Sequence, residues 1–166
     1  MVSEPVIEEK NIRAILETVV DPEVPVLTIY DLGIVRDIKI NGDAIEVVIT
    51  PTYSGCPAMD MITMNIKLAL AEKGYQKVKV SSVLSPAWTT DWMSEEGKRK
   101  LKEYGIAPPH PRQQVCDDKL FADETVQCPH CNGWHTHRVS EFGSTACKAL
   151  YQCDECKEPF DYFKCH

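Results

Sequence analysis

Two Cys-x-x-Cys pairs, Cys128-Pro129-His130-Cys131 and Cys153-Asp154-Glu155-Cys156, stand 21 residues apart near the end of this 166-residue chain. No other feature of the sequence restricts the fold as strongly. Two residues between cysteines let both thiolates of one turn face a single metal ion, and a second such turn completes a tetrahedron. The separation fits a zinc ribbon. Gly133 follows the first pair in a Cys-Pro-x-Cys-x-Gly pattern that lets backbone N–H groups approach sulfur, whereas the second pair is followed by Lys157-Glu158. A redox Cys-x-x-Cys would need a strand-to-helix setting with one thiol at a helix start, and the tail has no helical period. Four thiolates make a closed site. One structural zinc per chain is therefore expected on Cys128, Cys131, Cys153 and Cys156, although the spacing alone does not separate zinc from iron. In a segment this short the metal, more than the core, must supply the stability.

The other thiols are read one by one. Residues 111–166 hold Cys116, Cys147 and Cys165 besides the four ligands, and residues 1–110 hold Cys56 alone. Cys147 reads as a buried small apolar residue. Cys165, next to His166 at the chain end, is a thiol beside an imidazole, able to bind metal or oxidise. Cys116 falls in a polar stretch and reads as incidental. His135 and His137 share a strand face and are expected as a polar surface pair. Trp134, Phe142, Tyr151, Phe160, Tyr162 and Phe163 are expected to form the ribbon's small aromatic core.

Charge and hydropathy exclude several classes. The net charge is −7, so a phosphate-neutralising surface, and with it a nucleic-acid partner, is not expected. No stretch approaches the ~20 apolar residues of a membrane span. Met1–Lys10 is acidic and lacks the regions of a secretion signal, so the expected location is a reducing cytoplasm.

Residues 1–107 read as a small α-β-β-α-β-α domain of the α+β class. Ile12, Ile15, Leu16 and Val19 give a helical stripe within 5–20, with Ser3 as its cap. Asp21-Pro22 ends it, and Asp21 to Pro25 is expected as a stiff, extended loop. Residues 33–40 and 44–50 alternate as strands around Asn41-Gly42-Asp43, a strong hairpin signal. A second helix over 57–73 has Pro57 at its start, Gly74 past its end, and Met59, Ile62, Ile66, Ala69 and Leu70 on its buried face. A strand follows over 77–84, then a helix over 94–104 capped by Ser94. Pro108 and Pro109 open a linker over 108–124, and the ribbon occupies 125–166.

Cys56 ends the stretch Thr50-Pro51-Thr52-Tyr53-Ser54-Gly55-Cys56, after a strand and just before Pro57 and the second helix. The positive end of a helix dipole favours a thiolate there; the plainer reading is a structural cysteine. Residues 1–109 contain no histidine, so the usual general base for a nucleophilic enzyme is missing. A thiol that accepts iron or a cluster needs no base, and Asp21 and Glu23 are candidate neighbours as hard ligands. The chain also lacks a G-x-G-x-x-G dinucleotide fingerprint and a Glu-x-x-His carboxylate set. No catalytic residue is assigned.

At this point the chain resembles a known family. Asp21-Pro22-Glu23-Val24-Pro25, Asp31-Leu32-Gly33-Ile34-Val35 and Thr50 through Pro57 resemble the small iron–sulfur-assembly domain of bacterial and cytosolic cluster-maturation factors. The tail, with Cys128 to Cys131, Ser144-Thr145-Ala146-Cys147-Lys148 and Cys153 onward, resembles the ribbon joined to that domain in the PaaD (PaaJ) family, as does Leu84 to Met93. That family is associated with phenylacetyl-CoA epoxidase, a ring 1,2-monooxygenase of phenylacetate catabolism and so of aromatic compound degradation. The resemblance implies a non-catalytic accessory factor, in contact with the reductase or oxygenase component, that helps insert an iron–sulfur cluster or iron; any cluster or iron on the chain would be transient. Independently of the resemblance, a thiol that accepts a cluster can be shared between two chains, so a homodimer is a further expectation. Two rivals are a stoichiometric, non-catalytic epoxidase component and a thiol redox protein using Cys56 or Cys165; the lack of a resolving cysteine near Cys56 counts against the second.

Overall fold

The computed structural model describes residues 7–109 and 125–164, so Ser3, Cys116, Cys165 and His166 lie outside the described residues. The chain packs as two compact units, Met1–Trp88 and Thr89–His166.

The first unit begins with α1, Glu9–Leu16. Ile12 and Leu16 of its stripe are fully buried. The helix is shorter than the stripe predicts. It gives out before the β-branched run Thr18-Val19-Val20, where Val20 instead forms an antiparallel bridge with Thr28. The following loop is not extended. Asp21 Oδ1 accepts the N–H groups of Glu23 (2.6 Å) and Val24 (3.1 Å), and Leu27 N–H donates to Val24 O. A short side chain hydrogen-bonding its own backbone turns the chain back on itself, and this local bond outweighs the stiffness of two prolines.

Strands β1, Val35–Asn41, and β2, Ala44–Ile49, form the hairpin, with Ile38 opposite Val47 and Ile40 opposite Ile45. Gly42 takes φ +64 in the turn, a conformation open to glycine at no steric cost. Helix α2, Ala58–Glu72, then crosses over to β3, Lys77–Ser82, which lies parallel to β2 with Val80 beside Val47. A parallel neighbour requires such a crossover. Ala58, Ile62, Ile66 and Leu70 of α2 are buried, while Met59 and Ala69 are half-buried. The strand order is β1-β2-β3. Trp88 closes the unit by donating its indole N–H to Leu32 O at 2.8 Å.

The second unit opens with a single 3-10 turn, Thr90–Trp92, and α3, Glu95–Glu103. Ser94 caps α3 as expected, its Oγ accepting Gly97 N–H at 2.9 Å. Beyond Gly105, Ile106–Ala107 forms β4. This pair lies parallel to β7, Pro159–Phe163, with Ala107 beside Tyr162. Strands β5, Thr136–Ser140, and β6, Lys148–Cys153, complete a sheet ordered β4-β7-β6-β5. The sequence grouped α3 and Ile106-Ala107 with the first domain; in the structure they pack with the ribbon, because β4 gains its hydrogen-bond partner there. Tyr151, Phe160, Tyr162 and Phe163 are buried as expected, and Tyr151 contacts both Phe160 and Tyr162 ring to ring. Trp134 and Phe142 are not core residues: they are 53% and 60% exposed. The core cluster instead includes Ala107 and Val126, together with Ala149, Cys128 and Cys153.

Among the described residues, no helix is long and apolar enough to cross a membrane.

Candidate metal centre

The two Cys-x-x-Cys turns fold alike. Cys128 N–H donates to Gly133 O (2.9 Å) and Asn132 N–H to Cys128 O (3.0 Å); in the second turn Cys153 N–H donates to Glu158 O (3.1 Å) and Lys157 N–H to Cys153 O (3.0 Å). Asn132 and Lys157 occupy the same place in each turn, and both take positive φ, +62 and +67. The left-handed residue is thus the one directly after the second cysteine of each pair. Gly133 itself is not in that conformation. Its lack of a side chain leaves room for Glu155: a Cβ there would come within 2.5 Å of the Glu155 carboxyl carbon and displace it.

These turns bring four sulfurs together. Cys128 Sγ lies 3.8 Å from Cys156 Sγ, and Cys131 Sγ lies 3.6 Å from Cys153 Sγ. All four sulfurs fall within 4.8 Å of one another. A tetrahedron with metal–sulfur bonds of ~2.3 Å has edges of about 3.8 Å, so the set fits a tetrathiolate ion such as zinc. Backbone N–H groups also converge on the sulfurs. Gly133 N–H meets Cys131 Sγ at 3.4 Å. The N–H groups of Cys156 and then Glu155, acting against burial, bring the Cys153 thiol down to about 7, while burial pushes Cys128 up. Such N–H bonds stabilise bound thiolates and fix the side chains' directions.

Two carboxylate–histidine contacts brace the second turn, and the sequence did not single them out. Glu155 Oε1 accepts His135 Nδ1–H at 2.8 Å and faces His135 N–H at 3.4 Å. Asp154 Oδ1 lies 3.0 Å from His137 Nδ1, and Asp154 N–H donates to His135 O at 2.7 Å. The two residues inside the second turn therefore tie it to the start of β5. The available signal was the pairing of His135-Thr136-His137 with Asp154-Glu155 across one hairpin. The His135 side-chain bond, above all, holds the Glu155 carboxyl below the ordinary glutamate range. The carboxylate's part in that bond is lost as pH falls through its lowered range. Replacing Gly133 by alanine should push Glu155 off His135 and leave the sulfurs in place. The His135 amide proton should move upfield in NMR spectra with metal content unchanged; an unmoved resonance would refute this role for the glycine.

Cys147 is buried, with Thr145 Oγ1 at 3.0 Å from its sulfur and its carbonyl accepting Lys164 N–H. Ser144 Oγ donates to Asp161 Oδ2 at 2.8 Å. This loop ties β6 to β7 and stands apart from the four-sulfur set.

Cys56 is half-buried. Gly55 before it takes φ +81, Cys56 N–H donates to Tyr53 O at 3.3 Å, and α2 begins two residues on. The thiol stands at a helix start, as the sequence indicated. Among the described residues, the four ribbon cysteines are the one group of three or more candidate ligands in range of a common ion, and Cys56, Asp21 and Glu23 are not in it. The Asp21 carboxylate is engaged in its own turn.

Comparison with known proteins agrees with this division. Residues 9–82 match the model of an iron–sulfur cluster assembly protein, and residues 112–164 match that of the PaaD zinc β-ribbon domain. An Escherichia coli protein, named as a putative component of 1,2-phenylacetyl-CoA epoxidase, is 50% identical over 93% of this chain and 92% of its own length. An Fe-S protein maturation auxiliary factor of Porphyromonas gingivalis is 37% identical over 56% of this chain and 90% of its own. The crystal structure of a domain of unknown function from Bacillus anthracis matches with TM-score 0.52 and 30% identity, over 56% of this chain and 90% of that one.

Proposed function

The chain belongs to the PaaD family, the group of the phenylacetyl-CoA epoxidase component from Escherichia coli, and from that premise we propose that it is a non-catalytic maturation factor for the epoxidase system. In this reading it assists insertion of iron or an iron–sulfur cluster into the reductase or oxygenase component, in a reducing cytoplasm. One observation carries it. A relative named as a maturation factor consists almost wholly of the assembly domain that this chain shares, so the maturation role belongs to that domain and the ribbon is an addition to it.

The ribbon's four sulfurs would hold one zinc through Cys128, Cys131, Cys153 and Cys156. Bound there, the ion supplies cross-linking of two turns and no open position for chemistry. The exposed Trp134 beside the first turn supports the reading of this face as a docking surface for the epoxidase components. Transient contact with the iron or cluster cargo is assigned to Cys56, a half-exposed thiol outside the closed set.

A second reading, a stoichiometric component of the complex without catalytic residues, is favoured by the name of the Escherichia coli relative. One experiment separates the two. Reductase and oxygenase components are produced with and without this chain, and their iron and acid-labile sulfide are measured after purification. The maturation reading expects components poor in iron or sulfide when the chain is absent during synthesis, and no need for it afterwards. Components fully loaded without it, in a complex active only when the chain is present at fixed ratio, would establish the stoichiometric reading instead.

A further inference from the structure

Helix α2 is apolar on two faces. Ile62, Ile66 and Leu70 face the core, yet Met61, Met64 and Leu68 on the outer side are 53%, 55% and 53% exposed. Their i, i+3, i+7 spacing places them in one stripe. At about 100° per residue, Met64 lies on its midline, Met61 and Leu68 on one flank, and the exposed Asp60 and Lys67 on the other.

We propose that this face of α2 pairs with the same face of a second copy of the chain, antiparallel, about a two-fold axis at Met64. In such an isologous contact each flank meets its own counterpart with the chain direction reversed. Met64 then meets Met64 of the partner subunit, and Met61 meets Leu68 of the partner subunit. On the other flank Asp60 meets Lys67 of the partner subunit, twice over by symmetry. A parallel pairing would instead set each flank against the opposite one, with Asp60 against Met61 of the partner subunit and Lys67 against Leu68 of the partner subunit, and no charge would meet its opposite. The stripe is therefore complementary to itself in both apolarity and charge, and in the antiparallel sense alone. Methionine side chains are flexible enough to close such a contact without prior shaping.

The proposal is independent of the maturation reading and adds a constraint to it. Cys56 precedes the axis by eight positions, roughly 12 Å along the helix direction, so the two thiols would lie about 24 Å apart. They could not share one cluster; each copy would present its own thiol at an outer end. A single helix face is smaller than the ~800 Å² per partner of a standard interface, so the dimer should be weak and reversible.

Sedimentation of the reduced full chain over a wide concentration range tests this. A monomer–dimer equilibrium is expected. Asp60→Lys and Lys67→Glu should each weaken it by about tenfold or more, since each turns two attractions into two repulsions, and the double variant should recover the parent's association. Independently, Met64→Cys should give, on mild oxidation, a dimer linked through residue 64 on both chains by peptide mapping. A chain that stays monomeric throughout, single reversals that associate like the parent, a double variant without recovery, or a dimer lacking the 64–64 link would each overturn the proposal.

Discussion

Cys128→Ser should cost the chain its metal and the ordered state of its ribbon together. Cys128 is fully buried among Ala107, Val126, Tyr151 and Phe160, and its sulfur forms one edge of the tetrahedron, 3.8 Å from Cys156. Structural zinc sites contribute about 10–16 kcal/mol of apparent binding free energy at neutral pH, while a whole domain is stable by only ~5–15 kcal/mol. Loss of one of four ligands therefore removes a share of stability as large as the net value for the unit. Metal analysis should fall from near one zinc per chain to background, and the far-ultraviolet spectrum should lose the β5–β7 sheet. A chelator acting on the parent protein should reproduce the change. A variant that keeps its metal and the parent's melting profile would sink the assignment. Acid acts in the same direction. Metal binds thiolates, so binding releases protons; with Cys153 near 7 and Cys128 above the ordinary thiol range in the metal-free cluster, affinity should fall steadily below neutral pH.

The elements that the sequence announced are those whose causes are local. Gly42 in the hairpin, Gly74 after α2 and Ser94 before α3 each act within a few residues of the structure they terminate or start, so their effect can be read without knowing the fold. The two Cys-x-x-Cys turns are local too, and the ion supplies the one long-range restraint. What escaped was set by partners far along the chain. Ile106-Ala107 reads as the edge of a proline linker, and only Asp161 and Tyr162 make it a strand. Trp134 and Phe142 look like core residues by size, but the core is built from Tyr151, Phe160 and Tyr162 with Ala107 and Val126, residues brought in from outside the ribbon's strands. The end of α1 was misplaced because the Val20–Thr28 bridge and the Asp21 turn outweigh a continuing apolar stripe. At Gly133 the N–H approach to Cys131 sulfur was legible, but the clearance for Glu155, a residue 22 positions away, was not. Around Cys56 the helix start was legible because Gly55 and Pro57 act locally, whereas the sequence could offer Asp21 and Glu23 only as candidate neighbours, since their position depends on how distant loops pack.

The complementary result is expected from Cys56→Ala. The side chain is half-buried, in a turn held by the Cys56 N–H bond to Tyr53 O and the Met59 N–H bond to Cys56 O. Those bonds are backbone bonds and survive the substitution, and removal of one small, partly exposed group ordinarily changes stability by under ~1 kcal/mol. The melting profile and the ribbon's zinc content should match the parent. Iron or labile sulfide in the co-produced epoxidase component should nevertheless fall to the level found without the chain, because a transient soft-metal contact needs a thiolate and alanine offers no ligand. Cys56→Ser keeps the size and a polar group and should fail equally, since a hydroxyl is a poor ligand for iron in a sulfur-rich exchange. If the component is fully loaded in the presence of either variant, Cys56 is a structural residue and cargo contact must lie elsewhere. The pair of cysteine variants thus separates two roles of one chemistry. At Cys128 the thiolate is part of the fold, and its loss unfolds the ribbon whether or not a client is present. At Cys56 it is free of the fold, and its loss is visible only in the client.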